Sequence, residues 1–105
     1  MRYYALFFLI SLLLISCGGN ESDQQAQVQK QEPKQIYLQK CASCHGEQGN
    51  LTLGGARKIV DTQLTKDQIS QQIAEGKGSM PRFSDRLSKE EIEGLSEYCL
   101  QLAGK

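Results

Sequence analysis

Apolar residues crowd the start of the chain and then almost vanish. Arg2 is followed by an apolar run from Tyr3 to Ile15, broken only by Ser11. The run falls short of the roughly 20 residues that cross a bilayer. It has the form of a secretory signal peptide with a sparse basic start and a short apolar core. The next stretch, GGNESDQQAQVQKQE at residues 18–32, holds a single substantial apolar residue, Val28. Such a segment cannot bury enough surface to offset the entropy of ordering it. It is expected to be a flexible tether, spanning on the order of 20 Å as a coil of about 15 residues.

From Pro33 onward the pattern becomes helical. Pro33 suits a first helical turn, and Ile36, Tyr37 and Leu38 carry that helix towards Cys41. A second helix is predicted from Thr65 as N-cap, with Gln68 three residues on to complete a capping box. Ile69 and Ile73 lie four apart on its inner face, and Gly76 ends it. A third begins at Ser88 with Glu91 at the box position, and its stripe Ile92, Leu95, Cys99 and Leu102 repeats at helical spacing up to Gly104. No segment alternates with period two for any useful length, so no sheet of consequence is expected. The division is a signal peptide at 1–16, a tether at 17–32 and one all-α domain at 33–105.

Composition narrows the class. Removing a 16-residue signal would leave 89 of the 105 residues, enough for one small domain. Loss of Arg2 leaves 11 basic against 12 acidic side chains. With no basic excess, nothing points to nucleic acid, and no charged tail points to a highly charged partner. A folded part near 73 residues usually needs a staple such as disulfides, a metal or a cofactor. The exported compartment implied by the leader is one where thiols are oxidised or chemically occupied.

The cysteines supply the candidate staple. Lys40 to Asn50 reads KCASCHGEQGN, with two cysteines and the chain's only histidine. A redox pair of this spacing sits beside a βαβ pattern, which is missing here. A zinc site would need a fourth ligand, and adjacent Cys44 and His45 are poorly placed to converge on one tetrahedral ion. Cys-x-x-Cys-His reads instead as the attachment motif of a c-type haem. Cys41 and Cys44 would bond the vinyl groups as thioethers, and His45 would turn its imidazole to the iron. Once Met1 leaves with the signal, Met80 is the sole methionine, as His45 is the sole histidine. Bis-histidine ligation is therefore impossible, and the sixth position holds Met80, a weaker substitute, or nothing. Met80 lies between Gly78-Ser79 and Pro81, outside any helical stripe, which favours ligation over core filling.

On CASCHG at 41–46, GKGSMPRF at 76–83 and LSKEEIEGLSEYCLQLA at 87–103, the chain resembles the small monohaem class I cytochromes c of bacteria. The resemblance spans about residues 33–103. It implies an all-α fold of three to four helices wrapped around one covalent haem, with His45 and Met80 as axial ligands. It also implies that the first and last helices cross, with Tyr37 meeting Leu95 and Tyr98, and that Cys99 faces the haem as a buried, inert thiol. Two positions depart from the family pattern. Pro33 replaces the small residue often found eight positions before the first haem cysteine, so the crossing is expected to be spaced differently. The loop after the motif, NLTLGGARKIV, lacks the proline whose carbonyl usually accepts the histidine's second N–H, and a carbonyl near Gly54 or Gly55 is the expected substitute.

Leu14-Ile15-Ser16-Cys17-Gly18 resembles the lipobox of bacterial lipoproteins, which implies acylation of Cys17 and a membrane anchor outside the cytoplasm. The expected function is that of a monomeric electron carrier between redox protein partners, with no catalysis of its own. A haem subunit docked permanently on a dehydrogenase or oxidase, and a gas-binding haem protein, are the alternatives. Lys77, Arg82, Arg86 and Lys89 against Asp85 are expected to form a basic rim beside the haem edge, steering acidic partners.

Overall fold

In the computed structural model residues 30–105 are described; the expected signal peptide, Cys17 and the tether as far as Gln29 lie outside them. Four α-helices follow in order: α1 (Pro33–Lys40), α2 (Ala42–His45), α3 (Lys66–Glu75) and α4 (Lys89–Leu102), with a short 3-10 turn at Leu53–Gly55. Among the described residues the sole β-pairing is an isolated antiparallel bridge between Lys77 and Met80.

Local chemistry sets the helix ends. Pro33 opens α1, where its missing N–H costs nothing. The Thr65 hydroxyl accepts from the Gln68 N–H at 3.3 Å, and the Gln68 side chain accepts from the Thr65 N–H at 2.9 Å. Ser88 and Glu91 repeat this reciprocal box at the start of α4, at 3.2 and 2.8 Å. Each box satisfies two backbone donors that an uncapped helix would leave to water. At the far end of α4, Gly104 N–H donates to Gln101 O and Lys105 N–H to Leu100 O, the paired bonds of a Schellman stop.

α4 packs against both α3 and α1. The core between them is Ile36, Tyr37, Ile69, Ile73, Phe83, Leu87, Ile92, Leu95 and Cys99. Burying a large apolar side chain contributes about 1.5–3 kcal/mol, so eight such residues and Cys99 make a thin core for a chain this size. One polar group joins it. Ser96 is fully buried, accepts from the Ser70 hydroxyl at 2.8 Å and donates to Glu93 O at 2.7 Å, which spares it the cost of an unpaired buried hydroxyl.

The α1–α4 crossing forms as the resemblance implies. Tyr37 and Leu95 are fully buried there, and the rings of Tyr37 and Tyr98 lie 5.2 Å apart at 60°, a tilted aromatic pair. The bulk of Pro33 is accommodated from the opposite side. A Cβ on Gly94 of α4 would sit 2.9 Å from Pro33 Cγ. The helix crossing therefore closes because α4 carries glycine opposite the proline ring.

Candidate functional site

α1 ends at Cys41, whose φ of −118° breaks the helix before α2 restarts at Ala42. The His45 N–H returns to Cys41 O at 3.0 Å, so the two residues lie one helical turn apart with Cys44 beside them. The Tyr37 hydroxyl donates to Gly46 O at 2.6 Å and pins the end of this turn to the buried face of α1. Burial holds the Tyr37 phenol well above its ordinary range, so it remains a donor.

Cys41, Cys44 and His45 line one wall of a cavity of about 910 Å³, near the upper end of the roughly 300–1,000 Å³ usual for cofactor pockets. Ile69, Gln72 and Ile73 of α3, Met80 and Phe83 of the following loop, and Cys99 of α4 line it as well, together with the loop from Thr52 to Leu64. Burial pushes the Cys41 thiol up to about 11, with Lys40 pulling weakly the other way. That is opposite to the depressed thiol of a redox-active pair. Burial, reinforced by Cys41, also pushes Cys99 up to about 12. Among the described residues no cluster of three His, Cys, Asp or Glu converges as a metal site, so a zinc site finds no support.

His45 Nδ1 lies 2.8 Å from Arg57 O. A carbonyl can only accept, so Nδ1 carries the proton and Nε2 keeps a lone pair for a metal. The accepting carbonyl near Gly54 and Gly55 is thus that of Arg57, two residues past Gly55. Gly54 O accepts instead from the Ser79 hydroxyl at 2.8 Å, and the 3-10 turn closes with the Ala56 N–H on Leu53 O at 3.0 Å. The chain leaves the turn extended at Ala56 (φ −59°, ψ 141°), which brings the next carbonyl but one to the imidazole.

Met80 closes a two-residue turn. Lys77 N–H donates to Met80 O at 3.1 Å and Met80 N–H to Lys77 O at 3.0 Å. Gly78, at the first central position, has φ +59° and Ser79 does not have positive φ, the pattern of a type II′ turn. Gly76 must be glycine here. Its φ is +73°, and a Cβ would lie 2.6 Å from Met80 O and 2.9 Å from Arg82 N. Past the turn, Phe83 N–H and Ser84 N–H donate to Ile73 O and Ala74 O, fastening the loop to α3. Gln72 was not foreseen: its Nε2 lies 4.0 Å from Met80 Sδ, and its position between Ile69 and Ile73 on the inner face was the available signal.

The thiols, a histidine with a free Nε2, a half-buried methionine and apolar walls fit a haem bound at this cavity. A family model described as cytochrome c oxidase, cbb3-type, subunit III matches residues 28–99. The chain is a small class I monohaem c-type cytochrome. It carries electrons on one covalently attached c-type haem. Cytochrome c6 of Bryopsis maxima is 36% identical over 70 residues, covering 60% of this chain and 80% of that protein. Cytochrome c6 of Microcystis aeruginosa is 36% identical over 76 residues, covering 67% and 93%. Among solved structures, cytochrome c6 of the diatom Phaeodactylum tricornutum superposes with a TM-score of 0.61 at 32% identity, covering 70% of this chain and 92% of that one. The KustC0563 c-type cytochrome gives the same score and identity over 70% and 96%. No helix among the described residues is long and apolar enough to cross a membrane.

The charge around this cytochrome's cavity differs from the expected rim. Lys40, Arg57, Lys58 and Lys77 line it, against Asp61. Of the four cations expected there, Lys77 alone does so. Arg82 pairs with Asp85 and Lys89 with Glu93, each at 3.9 Å, and Lys89 lies instead on a shallower groove between α3 and α4.

Proposed function

We propose that the Cys41 and Cys44 sulfurs hold the haem as thioethers, that His45 Nε2 and Met80 Sδ take the two axial positions, and that a lipid on Cys17 tethers the domain to a membrane outside the cytoplasm. When bound, the haem supplies a one-electron iron couple. The observation that carries the reading is the His45 Nδ1–Arg57 O bond. It selects the tautomer with a lone pair at Nε2, orients the ring and raises its basicity as a ligand.

Met80 supplies a soft, neutral sulfur, and His/Met ligation places the couple at higher potential than two nitrogen ligands do. With both axial positions taken, no open site remains to bind and activate a substrate. The protein works as an outer-sphere carrier and not as a catalyst. Redox proteins are its partners, and the segment at 18–32 gives the domain reach while Cys17 keeps it at the membrane; several acyl chains anchor stably where one does not.

The test joins four measurements. Haem should stay on the polypeptide through acid-acetone extraction of the wild type, while Cys41→Ser/Cys44→Ser should yield little holoprotein. Met80→Ala should lose the weak long-wavelength sulfur-to-iron band and show a lower midpoint potential; an unchanged spectrum rules out Met80 ligation. Carbon monoxide should leave the reduced wild type untouched, whereas ready binding would favour the gas-binding alternative. Cys17→Ser should leave the membrane fraction, and an unmodified Cys17 in the mature protein would remove the anchor. The description of the matching family favours one second reading, a haem subunit docked on an oxidase, for which co-purification with an oxidase at high salt would speak.

A further inference from the structure

The turn that carries Met80 reaches across the mouth of the cavity. At its tip the Ser79 hydroxyl donates to Gly54 O at 2.8 Å, a contact between residues 25 apart in sequence. Leu53, Gly55 and Ala56 of the segment it meets line the cavity itself. Two hydrogen bonds tie this segment to the candidate ligand loops, the Ser79 hydroxyl to Gly54 O and His45 Nδ1 to Arg57 O, while Ala56 N–H closes the turn on Leu53 O. One five-residue stretch, 53–57, therefore touches both candidate ligands, His45 directly and Met80 through the adjoining Ser79.

We propose that Ser79 is a positioning residue for Met80: its hydroxyl latches the methionine turn to the segment that orients His45, and so sets how readily the sulfur leaves the iron. The inference rests on the reading of Met80 as an axial ligand. The turn is anchored to α3 on both sides, by Gly76 N–H to Gln72 O at 2.9 Å ahead of Met80 and by Phe83 and Ser84 behind it, and between these anchors the Lys77–Met80 pair closes only on itself. A Cβ on Gly78 would meet no protein atom within 4 Å, so no other part of the chain packs against it. With the latch gone, the tip at Gly78 and Ser79 is free to move outward while the α3 anchors at Gly76, Phe83 and Ser84 hold.

The experiment uses the haem-loaded ferric protein and imidazole as competing ligand. Imidazole binds only when Met80 is off the iron, so its apparent affinity scales with that minor population. Losing one exposed hydrogen bond should raise the population about three- to five-fold. Ser79→Ala is expected to keep the long-wavelength band without imidazole and to reach half-saturation at about three- to five-fold lower imidazole. Ser79→Thr, which keeps the hydroxyl, should return the curve to that of the wild type. Thr65→Ala removes a cap hydrogen bond far from the turn and should leave it unmoved. A Ser79→Ala curve that overlays the wild type overturns the latch, as does a Thr65→Ala curve shifted equally or a Ser79→Thr curve that follows Ser79→Ala. Failure of the underlying reading looks different: Met80→Ala would then retain the band and bind imidazole no more tightly than the wild type.

Discussion

Gly94→Ala sets two effects of opposite sign against each other at the α1–α4 crossing. In a helix interior, alanine is favoured over glycine by about 0.8–1 kcal/mol, partly through the freedom glycine gives the unfolded chain. Here the new methyl would lie 2.9 Å from Pro33 Cγ, well inside the roughly 3.5–4.0 Å of a comfortable carbon contact. The ring cannot swing away, because its atoms are tied to the backbone of α1. Relief requires α1 to retreat by half an ångström or more, in the order of magnitude of that shortfall, from a crossing where Tyr37 and Leu95 are fully buried. Overpacking of this kind costs about 1–3 kcal/mol. Taking about 2, the net is a loss of about 1 kcal/mol, or a fall of about 4–8 °C in Tm for a domain of this size. Pro33→Ala removes Cγ and leaves Cβ, which would lie 3.6 Å from the new methyl, an ordinary contact. In that background Gly94→Ala should stabilise by up to about 1 kcal/mol, giving a coupling near 2 kcal/mol between the two sites. Thermal unfolding of the four haem-loaded proteins, followed by far-ultraviolet circular dichroism, measures the cycle. If Gly94→Ala has the same sign and size with and without Pro33, the glycine is not there for the proline.

Three further outcomes follow from the site. Gly76→Ala forces a side chain into φ +73° against Met80 O; it should abolish the sulfur-to-iron band while haem remains covalently attached, and an intact band would refute the role given to this glycine. The folded-state pKa of Cys99, about 12, lies above that of an unfolded thiol because burial disfavours the thiolate. The folded chain therefore keeps a proton the unfolded chain releases, so the contribution is complete below about pH 8.5 and is lost as pH rises towards 12. Urea midpoints should fall more steeply between pH 8 and pH 10 in the wild type than in Cys99→Ala, and parallel slopes would refute this. For the rim, oxidation of the reduced protein by ferricyanide should slow with added salt, and Lys58→Glu/Lys77→Glu should weaken that dependence while Arg82→Glu/Lys89→Glu leaves it near the wild type. Equal responses from both double reversals would remove the assignment of Lys58 and Lys77 to the mouth.

Much of the fold was legible because its signals are local. The boxes Thr65/Gln68 and Ser88/Glu91 each lie within one turn of chain, and the stripe Ile92, Leu95, Cys99 needs no partner to be recognised. The attachment motif is likewise a five-residue word. What escaped the sequence depends on groups without a side-chain signature or on pairs distant along the chain. Arg57 O orients His45 as a backbone carbonyl, which any residue could provide, and the turn at 53–55 alone decides which carbonyl arrives. Gly94 reads as a weak point in a helix until Pro33 is seen against it.

The rim shows how local reasoning misleads when the quantity is a surface. Lys77, Arg82, Arg86 and Lys89 are neighbours in sequence, yet the same closeness gives Arg82 and Lys89 carboxylates at i+3 and i+4, and they turn to Asp85 and Glu93. The cations that reach the cavity, Lys40, Arg57, Lys58 and Lys77, come from three segments brought together by the fold. Two of them sit beside the carbonyl that holds His45 and one opens the turn that carries Met80. Screening at physiological salt extends over about 8 Å, so an anion docking at this mouth would feel these cations before those on α4. Under the proposed ligation, three of the four cations, Arg57, Lys58 and Lys77, share two loops with the backbone that positions His45 and Met80, and a change in the order of either loop should alter docking and potential together.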